Sequence, residues 1–177
     1  MIKLNAKALR TTKADPEIFK KLSKNPIYIV LDNVLDTYNI GSIFRLADAV
    51  ATQEVIITGQ AEVPPNTRIK KASINTTEWV KWRYIPTAVE AITKLKAQSP
   101  GLKVVAVEQN PKSLPYNQME WNLPLALIVG NETAGVSEDV LAMTDAIVEL
   151  PMFGVNVSLN VMVSLAVVLY KAVERLS

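Results

Sequence analysis

At 177 residues, 49% hydrophobic and 20% charged, the chain is long enough for one domain with a sizeable core and short for two. It holds neither cysteine nor histidine, which excludes disulfides, thiolate and imidazole metal sites, a cysteine nucleophile and any serine–histidine triad. The net charge of +2 hides an asymmetry: residues 1–24 carry seven basic side chains against Asp15 and Glu17, a net of +5, so the remainder carries −3.

The opening stretch MIKLNAKALRTTKADPEIFKK has no apolar segment of the kind a secretory signal requires, so a cytoplasmic protein is expected. Its basic residues fit a phosphate-facing arm or a merely solvated terminus. Asp15-Pro16-Glu17 is a helix start, with a cap, a proline at the first position and an acid in the first turn. PIYIVLD at 26–32 is a strand of the buried type, and a helical pattern follows over 41–50. EVIIT at 54–58 is the second strand.

Residues 59–86 show no clear periodicity and read as a long irregular insertion, a kind of segment that is often functional. There Arg68, Lys70, Lys71, Lys81 and Arg83 interleave with Trp79, Trp82 and Tyr84. Cations with aromatic rings suit a single-stranded RNA surface; the alternative is tryptophans packed inward and solvated lysines. A helix is expected over 87–98, strands at 102–108, 125–130 and 146–151, a short helix over about 137–143 and a long one from near Ser158. The apolar run at 153–170 approaches membrane-spanning length, but Asn156, Ser158, Asn160 and Ser164 interrupt it, so a buried helix and no membrane partner are expected. Strands alternating with helices predict a single α/β domain with a parallel sheet flanked by helices. The expected division is a basic segment with a short helix at 1–25 and the domain proper at 26–177.

Gly41 stands alone after the first strand, so the G-x-G-x-x-G of dinucleotide binding is missing. GNETAGVS at 130–137 has the glycine spacing of a phosphate loop, but Val136 occupies the place of the essential lysine, which disfavours nucleotide hydrolysis. Three polar segments each follow an apolar strand: NIGSIFR at 39–45, GNETAG at 130–135 and LPMFGVNVSLN at 150–160. In a parallel sheet the carboxyl ends of the strands share one edge, so these segments are expected to converge on one pocket. Simpler roles stand beside that reading: Asn39 or Ser158 as helix caps, Gly41 relieving crowding, Asn160 as a satisfied polar group in a first turn.

Together the three segments resemble the SpoU (TrmH-like) family of RNA 2′-O-ribose methyltransferases, within the SPOUT superfamily. Asn39, Gly41 and Arg45 match its N-x-G-x-x-x-R; Gly130, Asn131, Glu132 and Gly135 match its G-N-E motif; Leu150-Pro151-Met152, Gly154 and Ser158-Leu159-Asn160-Val161 match its third. Thr133 stands where the family commonly has a small residue, and VNV at 155–157 replaces a segment that often carries a basic or polar residue. The resemblance implies a C-terminal trefoil knot, S-adenosyl-L-methionine as methyl donor, and a homodimer with the active site at its interface. It implies RNA as partner, with tRNA ahead of rRNA. By position it implies cofactor contacts from Val107, Gly130, Leu150, Ser158 and Leu159, and a catalytic set of Arg45, Asn39, Glu132, Ser158 and Asn160. No metal is expected.

A ribose hydroxyl is a poor nucleophile until its proton is being removed, so alignment and a proton sink are required. The family assigns hydroxyl activation to the arginine, but a guanidinium with a pKa above about 12 seldom gives up a proton. Arg45 reads better as the group that binds the ribose and an adjacent phosphate and steadies the developing alkoxide. Arg68, Lys70 and Lys71 are the expected further RNA contacts. The competing reading is a SPOUT-fold RNA-binding or assembly protein that has lost catalysis.

Overall fold

The computed structural model describes residues 3–174, so the expected domain end at 177 lies outside the described residues. Two short helices come first, α1 (Ala6–Thr11), capped by Asn5, and α2 (Pro16–Lys21), whose Asp15 cap accepts from the Glu17 amide at 2.8 Å. Neither buries a residue completely. The chain then runs β1 (Asn25–Asp32), α3 (Thr37–Ala49), β2 (Thr52–Thr58), α4 (Thr67–Ser73), a 3-10 turn (Thr76–Glu78) and β3 (Trp82–Ile85). It continues α5 (Ala88–Gln98), β4 (Lys103–Val107), β5 (Leu114–Pro115), β6 (Leu125–Gly130), α6 (Glu138–Leu141), β7 (Ala146–Glu149) and α7 (Val161–Val173).

The seven strands form one parallel sheet in the order β3-β2-β1-β6-β4-β7-β5. Successive strand residues point to opposite faces, and the core divides accordingly. Ile29 and Leu31 pack with Ile40, Phe44, Ile69, Leu165 and Val168 from α3, α4 and α7. Val30, between them, packs with Ile56, Ala106, Ile92, Leu95 and Val140 on the α5 and α6 side. The α/β expectation therefore holds, with strands apolar on both faces because both are covered.

Three local expectations change. Residues 59–86 are not wholly irregular: Asn66 caps α4 by accepting from Arg68 and Ile69, and β3 closes one edge of the sheet. The last helix starts at Val161, not Ser158, and Asn160 is its cap, accepting from the Met162 amide at 2.9 Å. It is buried on one face only; Leu165, Val168, Leu169 and Ala172 face the core while Val163, Val167 and Tyr170 are exposed, and Phe153 and Val155 in the loop before it are fully exposed. No helix among the described residues is long and apolar enough to cross a membrane.

Candidate active site

β6 is wholly buried between β1 and β4, and it delivers Gly130 to the carboxyl edge of the sheet. Asn131 and Gly135 exchange backbone hydrogen bonds at 3.0 and 2.9 Å, closing a tight loop, while the Asn131 carboxamide accepts from the Thr133 and Ala134 amides and donates to Asn33 O. Gly135 lies at φ 72°, where a side chain would be strained, and a Cβ there would stand 2.3 Å from Glu108 Oε2. Glu108 instead accepts from the Val136 amide at 2.8 Å, and Asp32 at the end of β1 accepts from both the amide and hydroxyl of Ser137 at 2.8 Å. Two strand-end carboxylates thus hold the loop from below.

Glu132, at the loop's outer turn, ties the three motifs together. Its Oε1 accepts from the Asp36 amide at 3.0 Å and from Asn39 Nδ2 at 2.9 Å, and its Oε2 from the Leu35 amide at 3.1 Å. Asn39 Oδ1 in turn accepts from Asn160 Nδ2 at 2.9 Å. Asn39 is therefore not the α3 cap, a place taken by Asp36, which accepts from the Tyr38 amide; it is a buried bridge between two loops. Burial alone would push the Glu132 carboxyl up, but the hydrogen bonds from Asn39, Leu35 and Asp36 outweigh it and hold the group below its ordinary value of 4.5.

A carboxylate depressed in the folded state adds stability that is complete above the unfolded value and is lost as pH falls through the lower folded one. Glu132→Gln is expected to flatten the fall of Tm between about pH 5 and the acid transition, measured by thermal unfolding over a pH series. The same depression makes Glu132 a weak base, and all its bonds are to orienting donors, so it positions rather than abstracts.

Beside this relay lies a cavity of about 580 Å³, in the usual range for small-molecule sites. Val107, Gly130, Leu150, Ser158 and Leu159 all line it, as do Glu132 and Asn160. Asn39 does not reach it but holds two residues that do. Arg45 does not line it either: it is exposed, four residues beyond Gly41 and so on the same side of α3. That side faces α4, where a Cβ on Gly41 would come within 2.6 Å of Ala72 Cβ and Ile69 O, so Gly41 does relieve crowding.

The aromatic half of the expected RNA surface is not present as a stacking platform. Trp79 is 7% exposed, and Trp82 meets Phe44 edge-on at 6.4 Å between centroids. Lys81 and Arg83 pair with buried Glu54 at 3.4 and 3.3 Å. Tyr84 remains exposed and donates its hydroxyl to Gly59 O. Arg68, Lys70 and Lys71 are exposed on α4. Sequence reasoning missed Asp32 and Glu108 as site supports; the signal was there, since PIYIVLD and LKVVAVE both end an apolar strand on an acid.

Comparison with known proteins gives a family and a fold. The SpoU rRNA Methylase family profile matches residues 26–170. A tRNA (guanosine(18)-2'-O)-methyltransferase of Aquifex aeolicus (strain VF5) is 31% identical over 160 residues, covering 88% of this chain and 72% of that protein. One of the same name from Escherichia coli (strain K12) is 29% identical over 147 residues, covering 81% of this chain. The AdoMet-bound rRNA methyltransferase from Sinorhizobium meliloti superposes with a TM-score of 0.79 at 25% identity over 96% of this chain. The chain spans 61% of the length of the Escherichia coli relative and 60% of the Sinorhizobium meliloti chain.

Proposed function

The chain belongs to the SpoU rRNA Methylase family, and from that membership we propose that it transfers a methyl group from S-adenosylmethionine to a ribose 2′-hydroxyl of RNA, tRNA ahead of rRNA. The observation that carries this reading is the convergence of three motifs, through Glu132, Asn39 and Asn160, on one cavity lined by every expected cofactor residue. The relatives from Aquifex aeolicus and Escherichia coli, named for a tRNA, favour tRNA.

The cavity fits the cofactor. Its volume suits a nucleoside-sized ligand, and the missing side chain at Gly130 lets the Gly135-Val136 backbone close in to where a Cβ would stand 2.1 to 2.2 Å away, which shapes the cavity wall. Val107, Gly130, Leu150, Ser158 and Leu159 would hold it. When bound it supplies an electrophilic methyl on a sulfonium that departs as a neutral thioether. Asn160 fixes the start of α7, and with it the Ser158-Leu159 wall; Asn39 and Glu132 fix Asn160. Arg45 binds the ribose and a neighbouring phosphate and steadies the charge growing on the 2′-oxygen, while a phosphate oxygen or another group takes the proton. Arg68, Lys70 and Lys71 hold the RNA backbone.

The protein works in this reading as a cytoplasmic homodimer, with residues 1–25 as a basic appendage and 26–177 as the methyltransferase domain, its C-terminal part threaded as a knot. Two observations favour the dimer. Val163, Val167 and Tyr170 expose an apolar face on a helix that carries no charge before Lys171, continuous in sequence with exposed Val155 and Val157. Arg45 is exposed and does not line the cavity of its own copy, so a second copy can bring one to it. Val167→Asp is expected to convert a dimer into a monomer by light scattering; an unchanged mass would exclude that face.

The reading is tested by incubating the protein and labelled S-adenosylmethionine with total tRNA and rRNA, then digesting to nucleosides for mass spectrometry. A 2′-O-methylated nucleoside is the expected product. Cofactor binding without any transfer would favour the RNA-binding alternative, and no cofactor binding would remove the enzyme reading.

A further inference from the structure

The cavity wall has a charge pattern that alignment of the reactants does not require. Glu108, Glu132 and Glu149 line it, and among the described residues no lysine or arginine does. None of the three joins an ion pair among the described residues. Glu108 and Glu149 stand at the carboxyl ends of the neighbouring strands β4 and β7, where Val107 pairs with Val148. Their compensation differs: Glu132 accepts three N–H bonds and Glu108 two, whereas Glu149 accepts one bond, from the Ser113 hydroxyl at 2.8 Å. Glu149 is the least neutralised charge on the wall.

Resting on the methyl-transfer reading, we infer that the cavity selects its ligand by charge: Glu149, with Glu108 beside it, favours the cationic sulfonium donor over the neutral thioether product. Donor and product share every atom except the transferred methyl group. Contacts of shape and hydrogen bonding therefore treat them almost alike, and the difference of one unit charge is the main handle by which a protein can tell them apart. In a cavity partly shielded from water, a carboxylate acts on a cation more strongly than at an open surface. Transfer of the methyl group removes that charge, so the same wall that retains the donor loses its hold on the product. Glu149 is a specificity residue in this account and takes no part in bond making.

The test is calorimetric titration of S-adenosylmethionine and S-adenosylhomocysteine, without RNA, into the wild type and Glu149→Gln. The substitution removes the charge and keeps an oxygen for Ser113, and an unchanged Tm checks that the wall stands. The wild type is expected to bind the donor more tightly, and Glu149→Gln to lower that preference roughly fivefold to tenfold through weaker donor binding alone. Raising salt narrows the wild-type preference. An equal ratio in both proteins, or a wild-type preference for the product, overturns the charge selection while leaving the methyl-transfer reading intact. Binding of neither ligand overturns both.

Discussion

Arg45→Ala is expected to lower methyl transfer by about 10²- to 10³-fold while S-adenosylmethionine binding stays unchanged. That magnitude is typical for removing one donor to a developing oxyanion. The second half follows from placement, because Arg45 is exposed and absent from the cavity lining. Nothing in the core depends on it, so Tm should not move. Single-turnover transfer and calorimetry on the same preparation check both halves. The variant also locates the arginine's work. If one copy serves its partner, mixing Arg45→Ala with the cavity variant Leu159→Asp restores part of the activity, since some mixed dimers pair an intact arginine with an intact cavity. If each copy serves itself, the mixture stays inactive.

Gly130→Ala is expected to damage the site by a different route. A Cβ there would lie 2.1 Å from the Gly135 carbonyl carbon and 2.2 Å from both Gly135 O and the Val136 nitrogen. Those are backbone atoms, and the loop that carries them is pinned by Asn131, Glu108 and Asp32, so it has no easy direction in which to yield. Forcing one methyl group into such packing costs about 1–3 kcal/mol, which for a chain of this length is about 2–4 °C of Tm for each kcal/mol. Cofactor affinity should fall further than stability, because the displaced atoms form the cavity wall. Thermal unfolding beside calorimetry separates the two effects. A variant that binds S-adenosylmethionine normally would show that the wall is softer than these contacts imply.

The parts of this fold that carry a strong pattern were readable from residues alone. β1 and β6 are apolar on both faces and bounded by polar turns, and they lie where periodicity puts them. The convergence of 39–45, 130–135 and 150–160 followed from a parallel sheet having one carboxyl edge. What escaped has physical reasons. β3 is an edge strand of partly exposed residues, so it lacks the apolar run that marks β1. α4 has only seven residues, too short for periodicity to declare itself, although its Asn66 cap was a usable sign. The start of the last helix is ambiguous by sequence because Ser158 and Asn160 are both good caps, and what distinguishes them is that Asn160 accepts from the Met162 and Val163 amides while its Nδ2 donates to Asn39. Spacing within one segment cannot reveal that Asn39 faces inward between two distant loops.

That bridge also bears on how the molecule comes into being. Asn39 reaches partners 93 and 121 positions along the chain, the second of them at the start of the final helix. Contacts of such separation close late, since chain entropy must be overcome before they return anything. A nascent chain could pair β1 with β2 and seat α3 long before α7 emerges, yet it would present no binding cavity until the last turn docked. On the proposed function, a methyl donor can therefore do little to speed folding; it would act as a latch on the finished molecule, raising stability by slowing escape from it.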